Sequence, residues 1–157
     1  MIYERFFSFF TRLMGKERSP HILALSFSTG FYIAFSPFPG FHTGMTIALA
    51  WLFSLNIAVV FAVSCAINNP WTMMPVYCID YFFGDFVCTH IFRANTLCWN
   101  PGWMWRLNEW IAATIGIKHI SLWSFLFGGN ILGIGGALMV YPIVRRIFGR
   151  LQQKAQG

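Results

Sequence analysis

Charge is the first thing this sequence lacks. Only 5 of its 157 side chains are acidic and 11 are basic, so formal charges make up 10% of the chain. A soluble domain has about 25%. A chain this poor in charge cannot cover a water-facing surface, which makes lipid part of its solvent. Regular apolar–polar alternation is also missing. The apolar runs are continuous, which excludes a transmembrane barrel and leaves helices to cross a bilayer. The four cysteines, Cys65, Cys78, Cys88 and Cys98, show no Cys-x-x-Cys spacing. Three sit in apolar segments as small hydrophobes, so no disulfide framework is expected. There is no His-Glu-x-x-His, no Gly-x-Ser-x-Gly and no phosphate-binding glycine loop. His21, His42, His90 and His119 are too scattered to form a metal site. Hence no catalytic residue, metal or cofactor is predicted, and an enzyme is the minority reading. A cleavable signal peptide is not expected either, because the amphipathic first residues lack a small-residue cleavage site.

What the chain does have is apolar bulk, 57% of it hydrophobic and 19% aromatic, with a net charge of +6. The basic residues sit at the ends of the apolar region. Arg5, Arg12, Lys16 and Arg18 precede it, and Arg145, Arg146, Arg150 and Lys154 follow it. That is the positive-inside pattern, suited to anionic headgroups rather than nucleic acid. Both tails are therefore expected to be cytoplasmic, in a multi-pass membrane protein.

The pattern predicts a single all-α integral membrane domain. Residues 3–16 form an amphipathic interfacial helix, with Phe6, Phe7, Phe9 and Phe10 opposite Arg5, Arg12 and Lys16. Residues 22–92 are a broken-helix core: Ile22–Phe35, Gly44–Phe53, Ile57–Ile67 and Met73–Phe92. Residues 93–120 are a wetter connector in which Trp103, Leu107, Trp110, Ile111 and Thr114 recur at helical spacing, predicting a second interfacial helix. Ser121–Val144 is a spanning helix of 24 residues without formal charge, and 145–157 is a basic tail. None of the first three runs alone reaches the ~20 residues a crossing needs. Two cytoplasmic tails require an even number of crossings. The favoured arrangement has about four, with 44–67 as one helix kinked near Asn56, the 36–40 loop facing outward and the 68–70 loop inward. The alternative makes 22–53 and 57–92 two re-entrant helical hairpins beside the spanning helix. Small residues repeat every fourth position at Ser26, Gly30, Ala34, at Ala58, Ala62, Ala66, and at Gly129, Gly133, Ala137. Such stripes allow close helix approach in lipid and suit a compact bundle or a homo-oligomer.

Candidate binding residues cluster at the breaks. Ser36, Pro37, Pro39, Gly40, His42 and Thr43 form the first, and Asn68, Asn69, Pro70, Thr72 and Pro75 the second, with Asn56 between them. Irregular backbone at membrane depth needs protein or a water-filled cavity to satisfy its polar groups. Free N–H groups after the Gly-Phe-His-Thr turn suit an anion such as a lipid phosphate, with His42 as a donor. The plain alternative is that these residues cap helices and fix turns. Asp80, an acid inside an apolar run, is a further candidate because such groups normally face the bundle interior or water.

Ser-Pro-Phe-Pro-Gly-Phe-His-Thr at 36–43, Leu-Asn at 55–56 and Asn-Asn-Pro-Trp-Thr-Met-Met-Pro at 68–75 occur in a fixed order. Together they resemble the bacterial membrane family catalogued as domain of unknown function 2062, over roughly residues 19–92 and the last helix. Pro37, Pro39, Gly40, His42, Thr43, Asn69, Pro70, Thr72 and Pro75 fall on that family's motif positions. The resemblance implies a small bacterial inner-membrane protein, in some relatives joined to glycosyltransferase domains, and supplies no activity. The leading expectation is a transport or lipid-handling module that binds an anionic headgroup at the breaks. The other is a non-catalytic scaffold or accessory subunit for an envelope enzyme such as a glycosyltransferase. Transport would require a polar cavity joining the two breaks.

Overall fold

The structure, a computed structural model, describes residues 19–38, 40–93, 96–115 and 120–156. The helix expected at 3–16 lies outside these residues, as does Pro39. Among the described residues six α-helices follow in order: α1 Pro20–Phe35, α2 His42–Leu52, α3 Ile57–Ile67, α4 Met73–Phe86, α5 Gly102–Ile115 and α6 Leu122–Gln156. A π-helical turn, Val87–Ile91, prolongs α4, and a 3-10 turn, Thr96–Trp99, precedes α5. No strand occurs among the described residues.

Local chemistry sets the ends of these helices. Pro20 starts α1, where a missing N–H costs nothing. The same helix stops at Ser36, whose backbone is extended (φ −66°, ψ 126°) because Pro37 crowds a helical predecessor. Gly40 then takes φ +85°, a left-handed conformation that a glycine adopts without strain. In α4, Pro75 occupies the first turn, among the N–H groups that have no intrahelical acceptor. Within α6, Pro142 removes one hydrogen bond without ending the helix, which runs on through the basic tail.

The segment 44–67 is two helices, not one kinked helix. Ser54 is left-handed (φ 51°), and the Asn56 side chain accepts from the N–H groups of Ala58 at 3.1 Å and Val59 at 3.3 Å, capping a new helix. The chain therefore reverses. A continuous helix would separate His42 from Asn68 by roughly 39 Å, yet their side chains meet at 3.3 Å. So α2 and α3 form an antiparallel hairpin of two 11-residue helices. The Asn56 backbone N–H donates to Ser26 Oγ at 2.9 Å, which pins the hairpin tip to α1. Asn56→Ala should lower the unfolding free energy in detergent micelles by about 1 kcal/mol, while Asn56→Asp, which keeps an acceptor, should lose less.

Contacts fix the helix directions. Asn56 lies beside Ser26, Val60 and Val63 beside Gly30, and Asn68 beside Ala34, so α3 runs parallel to α1. Gly129 lies against Phe35, Gly133 against Tyr32 and Gly136 against Phe31, so α6 is antiparallel to α1. It is antiparallel to α4 as well, meeting Gly84 at Ser124 and Asp80 at Gly128. Hence α3 and α4 point the same way, and 57–92 is not a hairpin. Helix α6 is the spine, with its first turns on α4 and its later turns on α1. Near the end of that spine, Leu23 and Ala24 pack with Val144, Phe148 and Leu151. The start of α1 and the basic end of α6 thus lie at one end of the bundle.

Small polar side chains share the interior with apolar ones, while many large apolar side chains lie outside. Ser26, Ser28, Ser36, Thr46, Ser64, Asp80 and Ser124 are buried, among modest apolar clusters such as Ile33, Ala50 and Val60. Trp51, Trp71, Phe82, Leu138 and Met139 are 68% or more exposed. Exposed apolar side chains in such number are unusual for a water-facing surface. One stretch of the described chain, Leu122–Gln153, is long and apolar enough to cross a bilayer, while Pro20–Phe35 and Ile57–Ile67 are apolar but shorter.

Of the three small-residue stripes, two lie inside the bundle. Ser26, Gly30 and Ala34 are buried, and Gly129 and Gly133 face α1. On α3, however, Val59, Val60, Val63 and Ser64 form the inner face, leaving Ala66 exposed. The connector contains a helix, α5, as its spacing predicts. Trp103, Leu107 and Trp110 are exposed, and Met104 and Asn108 pack inward; the side chains of Ile111 and Thr114 lie outside the described set.

Candidate functional site

The two breaks, expected on opposite sides of the membrane, lie at the same end of the α2–α3 hairpin. Asn68 joins them. Its Nδ2 donates to the Ala34 carbonyl at 2.9 Å and lies 3.3 Å from His42 Nε2. An amide nitrogen carries two hydrogens and accepts none, so Nε2 must be the unprotonated acceptor and the ring proton sits on the other nitrogen. The His42 ring also hydrogen-bonds the Ile33 carbonyl. Ile33 and Ala34 belong to the last turn of α1, whose carbonyls have no partner within the helix. Thus side chains from both breaks finish α1, beside the Ser36 N–H that bonds the Ile33 carbonyl at 3.0 Å.

The second break is closed upon itself. The Asn69 Oδ1 accepts from Trp71 N at 2.9 Å and Thr72 N at 3.1 Å, and its Nδ2 donates to the Ala66 carbonyl at 3.2 Å. The Thr72 hydroxyl donates to the Ile67 carbonyl at 2.5 Å and accepts from Asn69 N at 3.1 Å. Pro70, between them, is exposed in the turn. In the first break, buried Ser36 Oγ donates to Met45 Sδ at 3.3 Å, and Pro37 packs against Gly129. Gly40 and Thr43 are exposed. Asn56 lies at the other end of the hairpin, about 17 Å away by helical rise. Asp80 is apart from both breaks, fully buried at the α4–α6 crossing. Its two carboxylate oxygens have no partner among the described residues.

A cavity of about 630 Å³ lies elsewhere, between α1, α2 and α6. Its wall is almost entirely apolar, formed by residues such as Leu25 and Tyr32 of α1, Leu49 of α2, and Leu138 and Tyr141 of α6. Neither break contributes to it. Ser28 also lines it, buried, with no hydrogen-bond partner for its hydroxyl among the described residues. At the rim, Phe53, Ile134 and Leu138 are each more than half exposed, so the cavity opens sideways. Below it, Tyr141 begins a second recess with Pro142, Arg145 and Arg146.

Several polar residues that hold the site together were not anticipated. Tyr32 donates to Asn130 Oδ1 at 2.9 Å, tying α1 to α6 beside the cavity. Asn100 and Asn108 both donate to the Ile120 carbonyl, and Asn100 Oδ1 accepts from Leu122 N at 3.0 Å, capping α6. Asn100 stands 22 residues before Leu122, so no local cap signal marked it. The Tyr32–Asn130 pair, 98 residues apart, left none.

Among the described residues these features define an all-helical bundle: a half-length helical hairpin held on α1 by polar helix-end contacts, with the long apolar α6 packed along the same helix. A family model described as an uncharacterized protein conserved in bacteria (DUF2062) matches residues 4–156. The chain therefore belongs to that bacterial family, the one its break motifs resemble. No curated protein and no solved structure matches it.

Proposed function

We propose that this protein is a membrane-embedded lipid-binding module in which the breaks shape the bundle and the lateral cavity holds the ligand's apolar chain. The 630 Å³ apolar cavity open at its side is the observation that carries this reading, since it matches the concave, mostly apolar character of ligand pockets. The many large apolar side chains on the outside support a bilayer setting, where the rim meets lipid tails. In this reading α6 crosses once. The path α1, hairpin, α3 to α4 makes one further net crossing, and both basic tails face the cytoplasm. The first break then lies inside the bilayer, about 10 Å along α6 from Leu122, because Phe35 packs at Gly129. Such irregular backbone is tolerated there because protein groups satisfy it.

The family supplies no substrate, so the ligand class rests on the cavity alone. Polar side chains at the breaks are engaged in ending helices, which favours binding over a polar transport path. Native mass spectrometry of the protein in delipidating detergent tests the reading. A bound lipid should be retained, and Ala137→Phe, which fills the cavity wall, should release it while the helical content and unfolding temperature hold. Equal lipid retention by both proteins, or none by either, would overturn it. Crossing number is checked separately by labelling introduced cysteines after Cys65, Cys78 and Cys98, all exposed, are replaced by serine. Position 93 should react from outside the cell and position 152 only after permeabilisation.

A further inference from the structure

The floor of the lateral cavity carries a second chemical signature. On α6, Ala137 and Tyr141 line the apolar chamber, and one turn on from Tyr141 comes Arg145. Leu138 likewise stands four residues before Pro142 and eight before Arg146. Residues four apart share a helix face, so the apolar wall runs directly into the arginine pair. Tyr141 lines both spaces, joining the ~630 Å³ chamber to a recess of about 380 Å³ with Arg145 and Arg146 in its wall. Both arginines are exposed, and the acids of the described chain, Asp80, Asp85 and Glu109, lie on α4 and α5. The pair is therefore free of carboxylates on its own helix and sits where the apolar segment of α6 ends.

We propose that these two spaces form one site for an anionic phospholipid, with an acyl chain in the chamber and the phosphate on Arg145 and Arg146. This deepens the lipid-binding reading and rests on it. Length agrees: from Ile134 at the rim to Arg145 is about 16 Å of helix, a span over which an acyl chain and a headgroup follow one another. Guanidinium groups present several N–H donors to phosphate oxygens, and each basic side chain near a bilayer surface adds attraction for anionic lipid. Arg150, one turn beyond Arg146, lines neither space, which makes it the internal control.

The test uses the full-length protein in nanodiscs and two lipids with identical tails, dioleoylphosphatidylglycerol and dioleoylphosphatidylcholine, compared by native mass spectrometry of the retained lipid. The expected result is a preference of roughly tenfold for the anionic lipid, which weakens as salt is raised. In R145Q/R146Q that preference should disappear while the phosphatidylcholine signal stays. In Arg150→Gln it should be kept. Equal retention of the two lipids by the wild-type protein, or an equal loss in Arg150→Gln, overturns the headgroup site and leaves the lipid-binding reading standing. Retention of neither lipid overturns both. Unchanged unfolding temperatures of the variants separate any loss of lipid from a loss of fold.

Discussion

Gly128→Ala is expected to cost about 3 kcal/mol of stability, the upper end for an overpacked site. A Cβ at Gly128 would stand 1.7 Å from the Asp80 carbonyl oxygen, and one at Gly84 would stand 1.7 Å from that of Ser124. Both obstacles are helix backbone, so no side chain can rotate away. The helices α4 and α6 must separate instead, and the contacts along their crossing weaken together. At such a crossing the glycine Cα hydrogens face carbonyl oxygens, a weak but recurrent attraction between closely packed helices. Gly135→Ala is the control, because nothing lies within 4 Å of its Cβ. It should gain up to about 1 kcal/mol from helix propensity. Gly84→Ala should behave like Gly128→Ala. The double variant should cost less than their sum, since helices already moved apart by one methyl accept the other. Unfolding in mixed micelles reads all four. Equal midpoints for the variants at positions 128 and 135 would refute the tight crossing.

Much of this architecture was readable in the sequence, and the failures have identifiable causes. The bounds of α3 were read correctly because Asn56 and Asn68 flank an uninterrupted apolar run. The reversal at Ser54 was missed because Ser-Leu-Asn contains neither glycine nor proline. A left-handed serine leaves no mark in composition, and the parity of crossings then favoured a kink. The stripe on α3 was misread for a different reason. Gly30 alone makes the room, its missing side chain admitting Val60 and Val63, so the alanines need not face inward. Gly84 was legible only as a neighbour of Asp80, because it and Gly128 are far apart in sequence and only the packing of α4 on α6 brings them together. At the breaks, the motif residues were legible as important, but their pairing was not. His42 and Asn68 are 26 residues apart, and only the reversal brings them together.

That pairing gives the second large effect, in which Asn68→Ala should cost on the order of 3 kcal/mol. Truncation removes both hydrogens of the amide and leaves the Ala34 carbonyl and His42 Nε2 without their donor. A buried acceptor stripped of its partner costs about 1–3 kcal/mol. Asn68→Asp keeps the volume and should be no better, because it sets a carboxylate oxygen against the Ala34 carbonyl. His42→Ala should cost less, about 1 kcal/mol, since Asn68 still completes α1. Adding His42→Ala to Asn68→Ala should add little, and the shortfall from additivity measures their coupling. Asn69→Ala is the informative comparison within the same motif. It disturbs the turn that starts α4 but leaves the junction between the breaks intact, so the α1–α3 contact should persist. If Asn68→Ala unfolds within about 0.5 kcal/mol of wild type, the range of a neutral surface change, the two breaks are not held together by that amide. The hairpin would then rest on its apolar contacts, chiefly Ile33, Ala50 and Val60, and on the Asn56–Ser26 bond at its tip.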